Sequence, residues 1–150
     1  MPEKKIIRRA QRDKRQGKSA STQAGEFVQD EIDKVRKGKH GVRSVKQAIA
    51  IGLNEARRAG VNLKPPKKGK TSAKTRKSAE SAYEKGQEHT PISRKRSLAR
   101  EKALKKEPTN TVSRKALSKQ GRTAAKKRSA ASRSAAAKKA ARTRALHKKS

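Results

Sequence analysis

The chain has 150 residues, 45 of them Lys or Arg and only 12 Asp or Glu, which gives a formal net charge of +33. Leu, Ile, Val and Phe number 19 and Ala alone 23, so little apolar surface is on hand to offset the entropy of ordering the chain, and a compact enzyme is not expected. No apolar run nears the ~18 residues of a membrane span, the basic N-terminus has no apolar core of a signal peptide, and cysteine is absent, so membrane insertion, a leader and thiolate chemistry are not expected.

Residues 1–20 read as a basic arm of net charge +6. The next segment, 21–63, differs: its net charge is only +3, and it holds 11 of the 21 large apolar residues. It reads as a helical hairpin. A first helix is expected from about Thr22 to Lys37, capped by Ser21 or Thr22. Glu26, Asp30, Glu31 and Asp33 lie toward its start and Lys34, Arg36 and Lys37 toward its end, which suits the helix dipole. Ala24, Phe27, Val28, Ile32 and Val35 recur at helical spacing, and Gly38 offers a stop.

The second helix opens on Ser44-Val45-Lys46-Gln47, a capping box in which Gln47 reaches back to Ser44. Val45, Ala48, Ile49, Gly52, Leu53 and Ala56 form its stripe, and Gly52 permits a close backbone approach. Gly60 reads as the terminating residue, with Val61 for the accompanying apolar contact. The short connection makes the two helices neighbours. A unit of this size rarely stands alone, so self-association as a homodimer, or folding on binding, is expected.

Residues 64–108, net +10, read as a basic linker with a short helix over 71–85 that ends at Gly86. Residues 109–150 carry 14 cations and no acid in an Ala/Ser/Lys/Arg background, where Ala124-Ala125-Lys126-Lys127 recurs as Ala136-Ala137-Lys138-Lys139. Mutual repulsion should extend this tail in water, while Ala, Lys and Arg favour helix once the charge is neutralised. The fold class is therefore mainly α: a small central hairpin flanked by basic, largely disordered, helix-prone arms.

The tail's natural partner is a polyanion. Its candidate phosphate contacts are Arg114, Lys115, Lys119, Arg122, Lys126, Lys127, Arg128, Arg133, Lys138, Lys139, Arg142, Arg144, Lys148 and Lys149. The second helix adds a polar face, Lys46, Gln47, Asn54, Arg57 and Arg58, with Lys46, Arg57 and Arg58 as its cationic contacts. Gln and Asn can read adenine and Arg guanine in a major groove, but a merely solvated face is the favoured reading, because Glu26, Asp30, Glu31 and Asp33 of the first helix would be repelled by a phosphate backbone. The turn Gly38-Lys39-His40-Gly41 could cradle an anion or simply turn. His40, His89 and His147 lie far apart, so no metal is expected. No P-loop and no nucleophile–base pair stands out, and neither a cofactor nor a small-molecule substrate is expected. Only Phe27 and Tyr83 are aromatic, too few for base-stacking platforms.

Residues about 19–77, above all the run GKHGVRSVKQAIAIGLNEARRAG, resemble a family of small basic bacterial proteins of unknown function. The resemblance implies a bacterial origin and supplies no site. The tail is similar to linker-histone and bacterial histone-like tails, a match of composition. Together these lead to the expectation of a non-specific, histone-like DNA-binding protein, cytoplasmic and nucleoid-associated, with RNA or ribosome binding, or a hairpin interaction module with an electrostatic tether, as alternatives.

Overall fold

The computed structural model describes residues 2–148, and every regular element among them is helical. The helices are α1 (Lys4–Arg15), α2 (Ala20–Arg36), α3 (Val45–Arg58), α4 (Ala73–Gln87), α5 (Arg94–Leu104), α6 (Arg114–Lys126) and α7 (Ala130–Lys148), with one 3-10 turn at Asn110–Val112. They divide into two compact units, Met1–Ser113 and Arg114–Ser150.

The first unit is built on the α2–α3 hairpin, with α1 packed on α2 and α4 on α3. Ile6, Ala10, Ala24, Phe27, Ala56 and Val61 form its core cluster, and Ile7, Leu53 and Leu63 pack around it. Ser19 caps α2, its hydroxyl accepting the Thr22 amide at 3.3 Å, so the helix starts before Ser21 and Thr22. Ser44 caps α3 by accepting the Gln47 amide at 3.2 Å. Gln47 reaches back one residue further than expected, to the Arg43 amide at 2.7 Å. Gly38 (φ +69) and Gly60 (φ +86) terminate α2 and α3 as the spacing predicts. At each, the two amides past the helix end turn back to the last carbonyls: Gly38 to Val35 and Lys39 to Lys34, Gly60 to Arg57 and Val61 to Ala56. At Gly52 a Cβ would lie 2.6 Å from Val28 Cα, the close approach that the stripe implied.

Disordered arms are not what the structure shows. In the N-terminal arm, Ile6 and Ala10 sit one turn apart and are buried against the hairpin, so a two-residue stripe suffices to dock α1. Asp13 is 3% exposed and pairs with Lys18 Nζ at 2.8 Å, closing the turn into α2. The linker expected over 64–108 holds two helices. Ser72 caps α4, which runs through Gly86 to Gln87. Gly86 is no stop because a Cβ there would collide with the Arg57 carbonyl; it is glycine so that α4 can lie against α3. The tail is helical as well. Its alanines, lysines and arginines carry enough helix propensity to outweigh a repulsion that salt screens. Ser129 restarts the chain by capping α7 through the Ser132 amide at 3.1 Å.

After α5 the chain straps back across the hairpin turn. The Gly41 amide donates to Leu104 O and the Val42 amide to Pro108 O, both at 2.9 Å. Thr111 Oγ1 donates to Val42 O at 2.8 Å, Arg36 Nε donates to Val112 O at 3.2 Å, and Val112 is buried. The Gly38–Gly41 turn is therefore no anion cradle: its last amide is spent on the strap, and Gly41 itself is packed against the Glu107 backbone. Within the chain, α1 packs on α2, α4 on α3, and the strap closes over the hairpin turn.

Candidate nucleic-acid interface

The expected recognition face on α3 is occupied. The small residues Ala79, Ala82 and Gly86 of α4 are buried there, and Asn54 Nδ2 donates to Ser78 Oγ at 3.1 Å. Arg57 is 6% exposed; its Nε donates to Leu63 O at 3.1 Å and its Nη1 to Asn54 Oδ1 at 2.9 Å. Burial holds its pKa below the ordinary guanidinium value. Arg57 is thus an internal strut and no phosphate contact. Arg58 is half-buried and donates to Thr90 O at 3.2 Å, which ties its guanidinium to the chain after α4. Of the α3 cations, Lys46 stays exposed. Polar residue type alone did not show that a neighbouring helix covers this face.

A basic surface lies instead on α1. Lys5, Arg8, Arg9, Arg12 and Arg15 fall at i, i+3, i+4, i+7 and i+10, one face of the helix, and border an open hollow of about 550 Å³. The opposite face carries the buried Ile6, Ala10 and Asp13, so packing fixes which way the arginines point. Only Arg9 is drawn aside, toward Glu26 at 3.5 Å. The signal lay in the spacing of these cations against Ile6 and Ala10. Replacing Arg8, Arg12 and Arg15 together by Gln is expected to flatten the slope of log K against log salt for a short duplex by up to ~2.7, at about 0.9 per phosphate. Helix content should hold, since all three are exposed. An unchanged slope in fluorescence anisotropy titrations would remove α1 from the interface.

In the second unit, Lys115, Lys119, Arg122 and Lys126 recur at i, i+4, i+7 and i+11 and form a stripe along α6, with Arg114 beside it. On α7 the cations Arg133, Lys138, Lys139, Arg142, Arg144 and Lys148 surround the helix, and none of its residues is buried. Lys127 and Arg128 occupy the break between the two helices, where Arg128 Nη2 donates to Ser132 Oγ at 3.0 Å. Lys149 lies outside the described residues.

The first unit also buries charge. Glu31 is 1% exposed, with His40 Nε2 at 3.5 Å from its Oε1. Next to it Lys34 Nζ meets Asp30 Oδ2 at 2.6 Å. Burial pushes the Glu31 carboxyl above the ordinary 4.5, and the charge of Glu55 adds to this, against the opposing pull of His40, Lys34 and Arg100. Lys34 feels burial in the opposite sense, but its bond to Asp30 and the charges of Glu55, Asp30 and Glu31 leave its pKa raised. A carboxyl with a raised pKa binds its proton more tightly folded than unfolded, so stability falls as pH climbs from 4.5 through the folded value. Glu31→Gln stays neutral at every pH. Its stability relative to wild type is expected to rise through that window and then level off in urea titrations across pH. A difference independent of pH would contradict the burial effect.

Among the described residues no cluster of His, Asp and Glu is placed to hold a metal ion, and no helix is long and apolar enough to cross a membrane. Residues 13–69 match the model of a family of unknown function, DUF6496. The matched segment takes in the α2–α3 hairpin but not α4–α7. No curated protein and no solved structure gives a significant match.

Proposed function

We propose that the protein binds nucleic acid, duplex DNA foremost, by neutralising phosphates without reading sequence. One observation carries this reading: residues 109–150 bear 14 cations and no acid, and α6 and α7 bury no side chain. Such a surface gains affinity by releasing the counterions condensed on a polyanion, a gain indifferent to base identity. The α1 face adds cations held on a packed helix. The packing of α4 against the Asn54 and Arg57 side of α3 takes that polar face away from a major groove, which favours low specificity.

In this reading the first unit is a small helical body and the second a cationic arm. The chain acts in the manner of a histone-like, nucleoid-associated protein. Purification with DNase or with RNase, followed by sequencing of whatever is retained, tests it. Recovery of DNA fragments scattered across the genome supports the reading. Recovery of RNA alone, surviving DNase, would replace it with the ribosome- or RNA-associated alternative.

A further inference from the structure

The two helices of the second unit carry their charge differently. On α6, Lys115, Lys119, Arg122 and Lys126 keep to one side, within an arc of about 60° at 3.6 residues per turn. On α7, Arg133, Arg144 and Lys148 fall within about 60° of one another and Lys138, Lys139 and Arg142 within about 100°, the two groups centred roughly 160° apart. All six side chains are exposed, and α7 buries none of its residues. No acid lies in residues 109–150 to draw either group aside. Composition does not impose this arrangement. Exchanging residue 137 with 138, 139 with 140 and 141 with 142 would gather all six cations into one arc of about 100°.

A rod charged on opposite sides cannot turn both toward one row of phosphates. An α-helix with its side chains is about 10–12 Å across, and the Debye length at physiological salt is about 8 Å. A duplex held by one group of α7 cations therefore lies more than a screening length from the other group. The far cations stay unneutralised and keep their attraction for a polyanion. What the near side offers a duplex, exposed Lys and Arg with no acid among them, the far side offers again. We propose that α7 bridges two DNA duplexes, Arg133, Arg144 and Lys148 holding one and Lys138, Lys139 and Arg142 the other, so that a single chain draws duplexes together. The proposal rests on the phosphate-neutralising reading and adds arrangement to it. Affinity follows how many cations the tail carries, which a random scramble preserves; bridging follows the sides of the helix they occupy.

Energy transfer between a donor-labelled and an acceptor-labelled short duplex, read with the full chain, tests it. With wild type, transfer is expected to rise while duplex is in excess and to fall again once protein is in excess, since each duplex then takes its own chain. The exchange Ala137→Lys, Lys138→Ala, Lys139→Ala, Ala140→Lys, Ala141→Arg and Arg142→Ala keeps the composition and makes α7 one-sided. Transfer should drop to the level of free duplexes. The slope of log K against log salt for a single duplex should meanwhile steepen by up to ~2.7, because three more cations meet the same phosphates. Circular dichroism on the duplex checks that α7 stays helical with its like charges crowded. Lys138→Gln, Lys139→Gln and Arg142→Gln, which empty one side, stand in if it does not, and should also abolish transfer. The exposed Lys67→Gln, Lys68→Gln and Lys70→Gln remove as much charge from outside the arm and should leave transfer in place. Transfer that survives both sets of α7 substitutions overturns the proposal. So does transfer that keeps rising in protein excess, which marks association between bound copies, or transfer lost with Arg8→Gln, Arg12→Gln and Arg15→Gln, which puts the second duplex on α1. Tight binding of a single duplex by wild type with no transfer overturns it as well, both sides of α7 then lining one groove. A wild-type chain that binds no duplex would instead overturn the phosphate reading beneath it.

Discussion

Removing residues 114–150 is expected to take most of the duplex affinity with it. All 14 cations of the acid-free tail go, while Val112 and the strap across the hairpin turn stay. For B-DNA each neutralised phosphate contributes about −0.9 to the slope of log K against log salt. If ~8 of the tail cations meet phosphates, the slope flattens by ~7 on deletion, and affinity near physiological salt falls by about 10³-fold or more. A scrambled tail of the same composition should restore both, because charge density and not order carries the binding. Two results would sink this mechanism: a slope that survives the deletion, or a scramble that fails where the native tail succeeds. Far-UV circular dichroism of the truncated chain guards against a trivial loss, since the first unit keeps all of its own contacts.

The second large effect is on stability. At Gly52 a Cβ would meet Val28 Cα at 2.6 Å, Val28 N at 2.9 Å and Phe27 O at 3.0 Å. All three are backbone atoms, so no rotamer change relieves the collision; α2 and α3 must move apart along their whole contact. Gly52→Val is expected to cost about 3 kcal/mol. In a unit of this size that lowers the melting midpoint by roughly 12 °C or more. Gly121 is the control. It lies inside α6 with nothing within 4 Å of a Cβ, so Gly121→Ala should leave the melting of the first unit alone and favour helix by about 1 kcal/mol. A Gly52→Ala variant that melts higher than wild type would show that helix propensity, and not the close approach, governs this position.

The hairpin was legible because its signals are local. Ser44, Gly38 and Gly60 each act on the few residues around them, and Phe27, Val35, Val45 and Ala48 repeat at a period visible within one segment. What lay outside the hairpin depended on partners distant in the chain. Ile6 and Ala10 amount to little as a core until Phe27 and Ala24 are there to receive them. Ala79, Ala82 and Gly86 look too small to matter, yet smallness is what lets α4 reach α3. The same contact removed Arg57 from the candidate interface, since a buried guanidinium bound to Leu63 O and Asn54 Oδ1 resembles a solvated one in residue type alone. The tail failed as a conformational expectation for another reason: repulsion and propensity oppose each other there, and their balance is not written in the count of charges. The positions of its cations, by contrast, followed directly from the sequence.

The strap across the hairpin turn sets an order of assembly. The amides of Gly41 and Val42 find their acceptors only at Leu104 and Pro108, and Arg36 finds Val112 O across 76 positions of chain. From Val42 to Pro108 is 66 residues, which synthesis at about 5–20 residues per second takes roughly 3–13 s to produce. Helix pairing takes far less time, so on a growing chain α2 and α3 meet with their turn still facing water, and α1 and α4 can settle on them first. The strap then closes last, against the entropy of the longest loop in the unit. The arm follows it out of the ribosome, so the most cationic part of the molecule is made only after the body that carries it can already be in place.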